Sequence, residues 1–104
     1  VLGAEVFREY GDSSCVLSFP GTWLLLSTGG GPTPDKPAVT FAPPADPDRV
    51  THAIPLWVPD CHGAYQTLMA RGARFLTPPM NNEAEIRTFF RDTDGHLFEI
   101  SEAR

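Results

Sequence analysis

The chain has 104 residues, enough for one domain with a modest core. Its formal charge is −5, from 8 Lys and Arg against 13 Asp and Glu, and Lys36 is the single lysine. That balance offers no basic stripe and excludes a nucleic-acid surface. The acidic excess serves solubility first, although it also suits a cationic ligand. No apolar run approaches the roughly 20 residues of a bilayer span, and the first residues lack a signal-peptide pattern. Cys15 and Cys61 are too few for a disulfide framework, so we expect free thiols in a soluble, cytoplasmic protein.

Val1-Leu2-Gly3 reads as the end of a helix, because glycine commonly follows a helix C-terminus. Glu5–Tyr10 reads as a strand, with Gly11-Asp12-Ser13-Ser14 as its turn. Cys15–Phe19 is a second strand, closed by Pro20-Gly21. Trp23–Ser27 is a third, and its continuous apolar run predicts burial on both faces. Thr28–Pro37 is a flexible loop by composition, Ala38–Phe41 a brief strand, and Pro43–Asp48 a connector.

Thr51–Val58 is the next strand, and Pro55 should stand where no ladder donor is needed. Asp60 reads as the N-cap of a helix over Cys61–Arg71, which Gly72 stops. Cys61, Ala64, Tyr65, Leu68 and Met69 fall at helical spacing and give it one apolar face. Ala73–Thr77 is a strand stopped by Pro78-Pro79, and Met80–Ala84 a polar loop. Glu85–Arg91 and His96–Ser101 then form a hairpin whose Asp-Gly step suits the positive φ of a tight turn. Alternation puts Phe98 and Ile100 on one face and Leu97, Glu99 and Ser101 on the other. A mid-strand carboxylate between apolar neighbours is costly unless paired, metal-bound or wet, so Glu99 is the residue to explain.

The two halves repeat weakly. Leu2–Phe7 parallels Arg71–Leu76, and Gly21–Ser27 parallels Gly95–Ser101. On that reading the first copy lacks the counterpart of Thr51–Arg71, through truncation or because another chain fills the open strand positions.

FRDTDGHLFEIS resembles the closing FRDPDGxxxEL signature of the vicinal oxygen chelate superfamily, which includes glyoxalase I, bleomycin resistance proteins and extradiol dioxygenases. PDCHGAYQTLMARGARFLTPP is similar to that family's helix–strand segment. The likeness spans Ala53–Glu102 and is looser over Val1–Phe41. It implies an α+β fold of paired βαβββ modules in a single domain, with a partial first module (1–50) and a complete second one (51–104). Each sheet curls to a concave cup with its helix behind it. Members commonly hold a divalent metal through four side chains, two from the first strands and two from the last.

Transferred to this chain, Glu99 falls on the last-strand ligand of the second module, while its counterpart Leu25 cannot coordinate a metal. The first-strand ligand of that module falls on Ala53. His52 is one residue off, hence on the opposite face unless a bulge near Pro55 shifts the register. Ile54, Leu56 and Val58 form the row that packs under the helix, which leaves Ala53, Pro55 and Trp57 toward the cup. The metal centre is therefore incomplete.

The candidate ligand-binding residues are Trp57, Trp23, Leu25, Ala53, Glu99 and Phe89, against the plainer reading that large aromatics fill the core. Arg87, Phe89 and Arg91 share a face. The arginines would hold an anionic group, pair with Glu83, Glu85 or Glu99, or simply be solvated. His96 reads as structural and His62 as solvated, and Cys61 and His62 do not face one another as a nucleophile–base pair. The glycine run with Lys36 lacks a phosphate-loop order, and the Asp-rich turn is too short for a calcium loop. The resemblance and the vacated ligand positions together suggest a metal-independent, dimeric binder of a planar or cationic small molecule, with no cofactor and no nucleic-acid or membrane partner. The alternative is a lyase, isomerase or dioxygenase holding one divalent metal ion with Glu99, His52 and further ligands, Glu99 then being catalytic. A third reading, an assembly module, predicts no deep pocket.

Overall fold

The computed structural model describes residues 2–11, 14–19 and 21–103. The chain divides into two compact units, Leu2–Ala42 and the remainder from Pro43 onward. In the first, β1 (Glu5–Tyr10), β2 (Ser14–Phe19) and β3 (Thr22–Ser27) form an antiparallel sheet in the order β1-β2-β3. Asp12, Ser13 and Pro20, expected in the turns, lie outside the described residues, as does Val1 of the expected helix end. An irregularity between Val6 and Arg8 leaves Phe7 as the extra residue, and its ring stacks on Trp23 at 5.2 Å.

β3 departs from its expected burial. Trp23, Leu25 and Leu26 are exposed and only Leu24 is partly covered. β3 is an edge strand, and no helix is found among the described residues of this unit. A continuous apolar run predicts burial only when layers are present to cover both faces.

The glycine- and proline-rich segment that follows is pinned by its lysine. Lys36 Nζ donates to the carbonyls of Gly31 (2.7 Å) and Val39 (3.3 Å) and lies 4.7 Å from the Phe41 ring centroid. The Thr33 hydroxyl donates to Asp35, which holds that carboxyl below its usual range. Gly30 and Phe41 exchange backbone hydrogen bonds of 3.0 and 2.8 Å, and the expected strand over Ala38–Phe41 reduces to that bridge. A Cβ on Gly29 would come within 2.7 Å of the Phe41 carbonyl oxygen, so no side chain fits there.

The second unit runs β4 (Ile54–Trp57), α1 (Cys61–Ala70), β5 (Arg74–Phe75), β6 (Met80–Asn81), β7 (Glu85–Arg91) and β8 (Leu97–Ala103). Its sheet has the order β4-β8-β7-β5, with β6 also on β7; β4 runs parallel to β8, and the other pairs are antiparallel. β4 and β5 are shorter than the strands expected over Thr51–Val58 and Ala73–Thr77, whereas Met80–Asn81, expected as loop, pairs with β7. β4 is an edge strand. The Val58 N–H donates to the Ser101 carbonyl at 2.8 Å. In a parallel ladder every second residue donates inward, so the nitrogen of Pro55 points to the open edge, where nothing is lost.

Asp60 caps α1 by accepting from the Gly63 N–H at 3.0 Å. The helix ends at Ala70, with Arg71 as its C-cap. Gly72 (φ 100°) donates to the Met69 carbonyl and Ala73 to that of Leu68, the paired bonds of a Schellman end. The core lies between α1 and one face of β7–β8, where Cys61, Leu68, Phe90, Phe98 and Ile100 are buried. Rings run on from Tyr65 to Phe75 to Phe90 to Phe98, with centroids 4.7, 5.1 and 5.1 Å apart. Met69, expected on the apolar face, is exposed, because the narrow sheet reaches only the Cys61–Leu68 stripe. Buried Thr88 is satisfied by donating to the Thr77 carbonyl at 2.8 Å.

Both units carry the repeat's local conformation. Gly3 and Gly72 have φ of 75° and 100°, and Gly21 and Gly95 of 83° and 93°. The antiparallel order β1-β2-β3 is matched by β5-β7-β8.

Candidate functional site

β8 is flanked by β4 and β7, and register decides what surrounds its carboxylate. Glu99 lies opposite Pro55 on one side and Phe89 on the other, while Ser101 lies opposite Trp57 and Arg87. These side chains share the face turned away from α1. Glu99 is half-buried, and Ser101 is 1% exposed. The Ser101 hydroxyl donates to Glu99 Oε1 at 2.5 Å.

The arginines are engaged elsewhere. Arg87 Nη1 pairs with Glu85 at 3.2 Å, its guanidinium carbon 5.4 Å from the Phe89 ring centroid, and Arg91 Nη2 pairs with Asp48. Of the alternatives open to these arginines, Arg87 takes the pairing with Glu85, and no ion pair of Glu99 is seen among the described residues. Arg91 ties the connector before β4 to β7, and Pro47 packs beside Gly95.

Of the other sequence candidates, Ala53 precedes β4 and is half-buried, and Trp57 is 69% exposed at its end. Trp23 and Leu25 belong to the first unit, where they share one face of β3 and are exposed. Neither tryptophan is a core residue. His52 is exposed, off the strand, with Nδ1 3.2 Å from the Thr51 hydroxyl. The β4–β8 register is unbroken from Ile54↔Phe98 to Trp57↔Ser101, so the bulge that would turn His52 inward is absent. The His96 backbone N–H donates to Asp92 Oδ1 at 2.8 Å, which gives that segment a turn-forming role, and His62 is exposed on α1. Ser101 is not among the sequence candidates, and its i+2 spacing from Glu99 on a strand is the signal that marks it.

The sequence profile of the glyoxalase/bleomycin resistance protein/dioxygenase superfamily matches residues 1–100. The chain belongs to that superfamily. Solved structures with the same fold include the fosfomycin resistance protein FosX of Listeria monocytogenes, at 17% identity over 99% of this chain and 74% of that one, TM-score 0.72. A glyoxalase/bleomycin resistance protein/dioxygenase from Nocardioides matches at 20% identity, over 98% and 68% of the two chains, TM-score 0.73. A superfamily member from Sphaerobacter thermophilus matches at 26% identity, over 97% and 78%, TM-score 0.59. A search of curated protein sequences gives no match.

The α+β architecture is thus that of the vicinal oxygen chelate fold. The metal that glyoxalase-superfamily members commonly hold needs several convergent donors. Among the described residues no three His, Cys, Asp or Glu side chains come together. Glu99 has a serine hydroxyl as its polar neighbour and proline and phenylalanine at its flanks, a donor set that does not fit a divalent ion.

Proposed function

We propose that the chain is a small-molecule-binding member of the superfamily that works without a metal, receiving a planar or cationic compound on the Glu99 face of the second sheet. The observation that carries the reading is a half-buried carboxylate between Pro55 and Phe89, with a hydroxyl beside it and no ion-pair partner among the described residues. A carboxylate in such surroundings gains from a cationic ligand group, and exposed Trp57 supplies a surface for stacking a planar one. Assembly as a homodimer belongs to the proposal, supported by the exposed apolar residues of β3.

Titration of the purified protein with a planar cationic dye, followed by tryptophan fluorescence, tests the reading. Saturable binding that Glu99→Gln weakens at least tenfold supports it. Stoichiometric divalent metal that co-purifies and is lost in Glu99→Ala would overturn it in favour of a metal-dependent lyase, isomerase or dioxygenase. So would a clear rise in Tm with Ni²⁺, Zn²⁺, Mn²⁺ or Fe²⁺.

A further inference from the structure

Resting on the ligand-binding reading of the Glu99 face, we propose that Ser101 is the positioning residue that presets the Glu99 carboxylate, and that the pair selects single-point cations of the alkylammonium class over fork-shaped amidinium and guanidinium groups. Ser101 is 1% exposed, so its hydroxyl must find a partner inside the protein. It finds Glu99 Oε1 at 2.5 Å, because residues two apart on β8 share a face. Neither neighbour of Glu99 across the sheet offers a donor: Pro55 and Phe89 present only a pyrrolidine and an aromatic ring. Among the described residues the carboxylate is therefore held from one side, at one oxygen, by a group that does not neutralise it.

That arrangement has a consequence for recognition. An amidinium or guanidinium binds a carboxylate best through two parallel N–H···O bonds, one to each oxygen. Here such a fork would have to share Oε1 with the serine hydroxyl. An alkylammonium needs only Oε2, and its carbon substituents pack against the rings of Phe89 and Pro55, where the aromatic face adds attraction for the charge. The repeat supplies an internal control. Ser27 of β3 stands where Ser101 does in β8, but Leu25 occupies the carboxylate's place. A serine there with no acid beside it has nothing to orient.

The test compares dissociation constants of phenethylammonium and benzamidinium, by calorimetry, for the unaltered protein and for Ser101→Ala, Ser101→Thr and Ser27→Ala. We expect the unaltered protein to favour the ammonium. Ser101→Ala should weaken ammonium binding about tenfold, the loss of one hydrogen bond to a charged group, and shrink the preference. Ser101→Thr, which keeps the hydroxyl, should restore both, and Ser27→Ala should change neither. An ammonium-to-amidinium ratio that is the same in Ser101→Ala, or a Ser101→Thr variant that is folded but not restored, overturns the inference. Should Ser101→Ala fail to fold, the threonine variant and the preference of the unaltered protein decide: an amidinium preference overturns it. Absence of binding by either probe, with Glu99→Gln indistinguishable from the unaltered protein, counts instead against the ligand-binding reading beneath it.

Discussion

Cys61 shows how far a single side chain's behaviour follows from its surroundings. It is fully buried, its thiol donates to the Ile100 carbonyl at 3.7 Å, and its backbone N–H donates to Glu102 Oε1 at 2.8 Å. Burial, followed by the nearby carboxylates of Glu102 and Asp60, raises its pKa above the ordinary 9.0. A folded-state pKa above the unfolded one means that this contribution to stability is complete below about pH 9 and is lost as pH rises through the folded value. Measured unfolding free energy should accordingly fall on the alkaline side, and Cys61→Ser should flatten that fall. Native alkylation mapped by mass spectrometry should label half-buried Cys15 well before Cys61. Ile100, 1% exposed beneath α1, fills the same contact, and Ile100→Ala should cost about 2–5 kcal/mol by urea denaturation.

Among the elements, α1 and the β7–β8 hairpin were the most legible in sequence, and for physical reasons. Asp60, the apolar stripe and Gly72 are local instructions, and each acts within a few residues of its position. Asp60→Ala should lower stability by roughly 1 kcal/mol, read as a shift in the urea midpoint. The hairpin turns on Gly95 at φ 93°, a conformation L-residues rarely adopt, and a Cβ there would also meet Pro47 at 3.4 Å. Gly95→Ala should cost about 1–2 kcal/mol in the same assay. Short strands and burial are the features that local sequence does not encode. β6 spans two residues and exists only because β7 offers an edge to pair with, so nothing within Met80–Asn81 announces it. Likewise no local pattern reveals that Lys36 is the anchor of its glycine-rich segment.

At the scale of the whole chain, the two units differ in what stabilises them. The second has a helix over its sheet and a chain of packed rings. The first has three strands, a bulge and apolar side chains left exposed on β3. Hydrogen exchange followed by mass spectrometry should find amides of Glu85–Ala103 more strongly protected than those of Glu5–Ser27, because local opening is easiest where little apolar surface is sealed. No helix among the described residues is long and apolar enough to cross a membrane.

The sequence by itself determined the alternation that puts Glu99 and Ser101 on one face and Phe98 and Ile100 on the other, along with the caps, the turn glycines and the need for Pro55 to stand where no ladder donor is lost. These depend on backbone geometry over a few residues, which the local order of side chains encodes. Only the tertiary structure decided that Arg91 is taken by Asp48, that His52 stays outside, and that no distant cation reaches Glu99 among the described residues. Those outcomes depend on strand register and on groups distant in the chain, such as Asp48 and Arg91, whose meeting no short window of sequence contains.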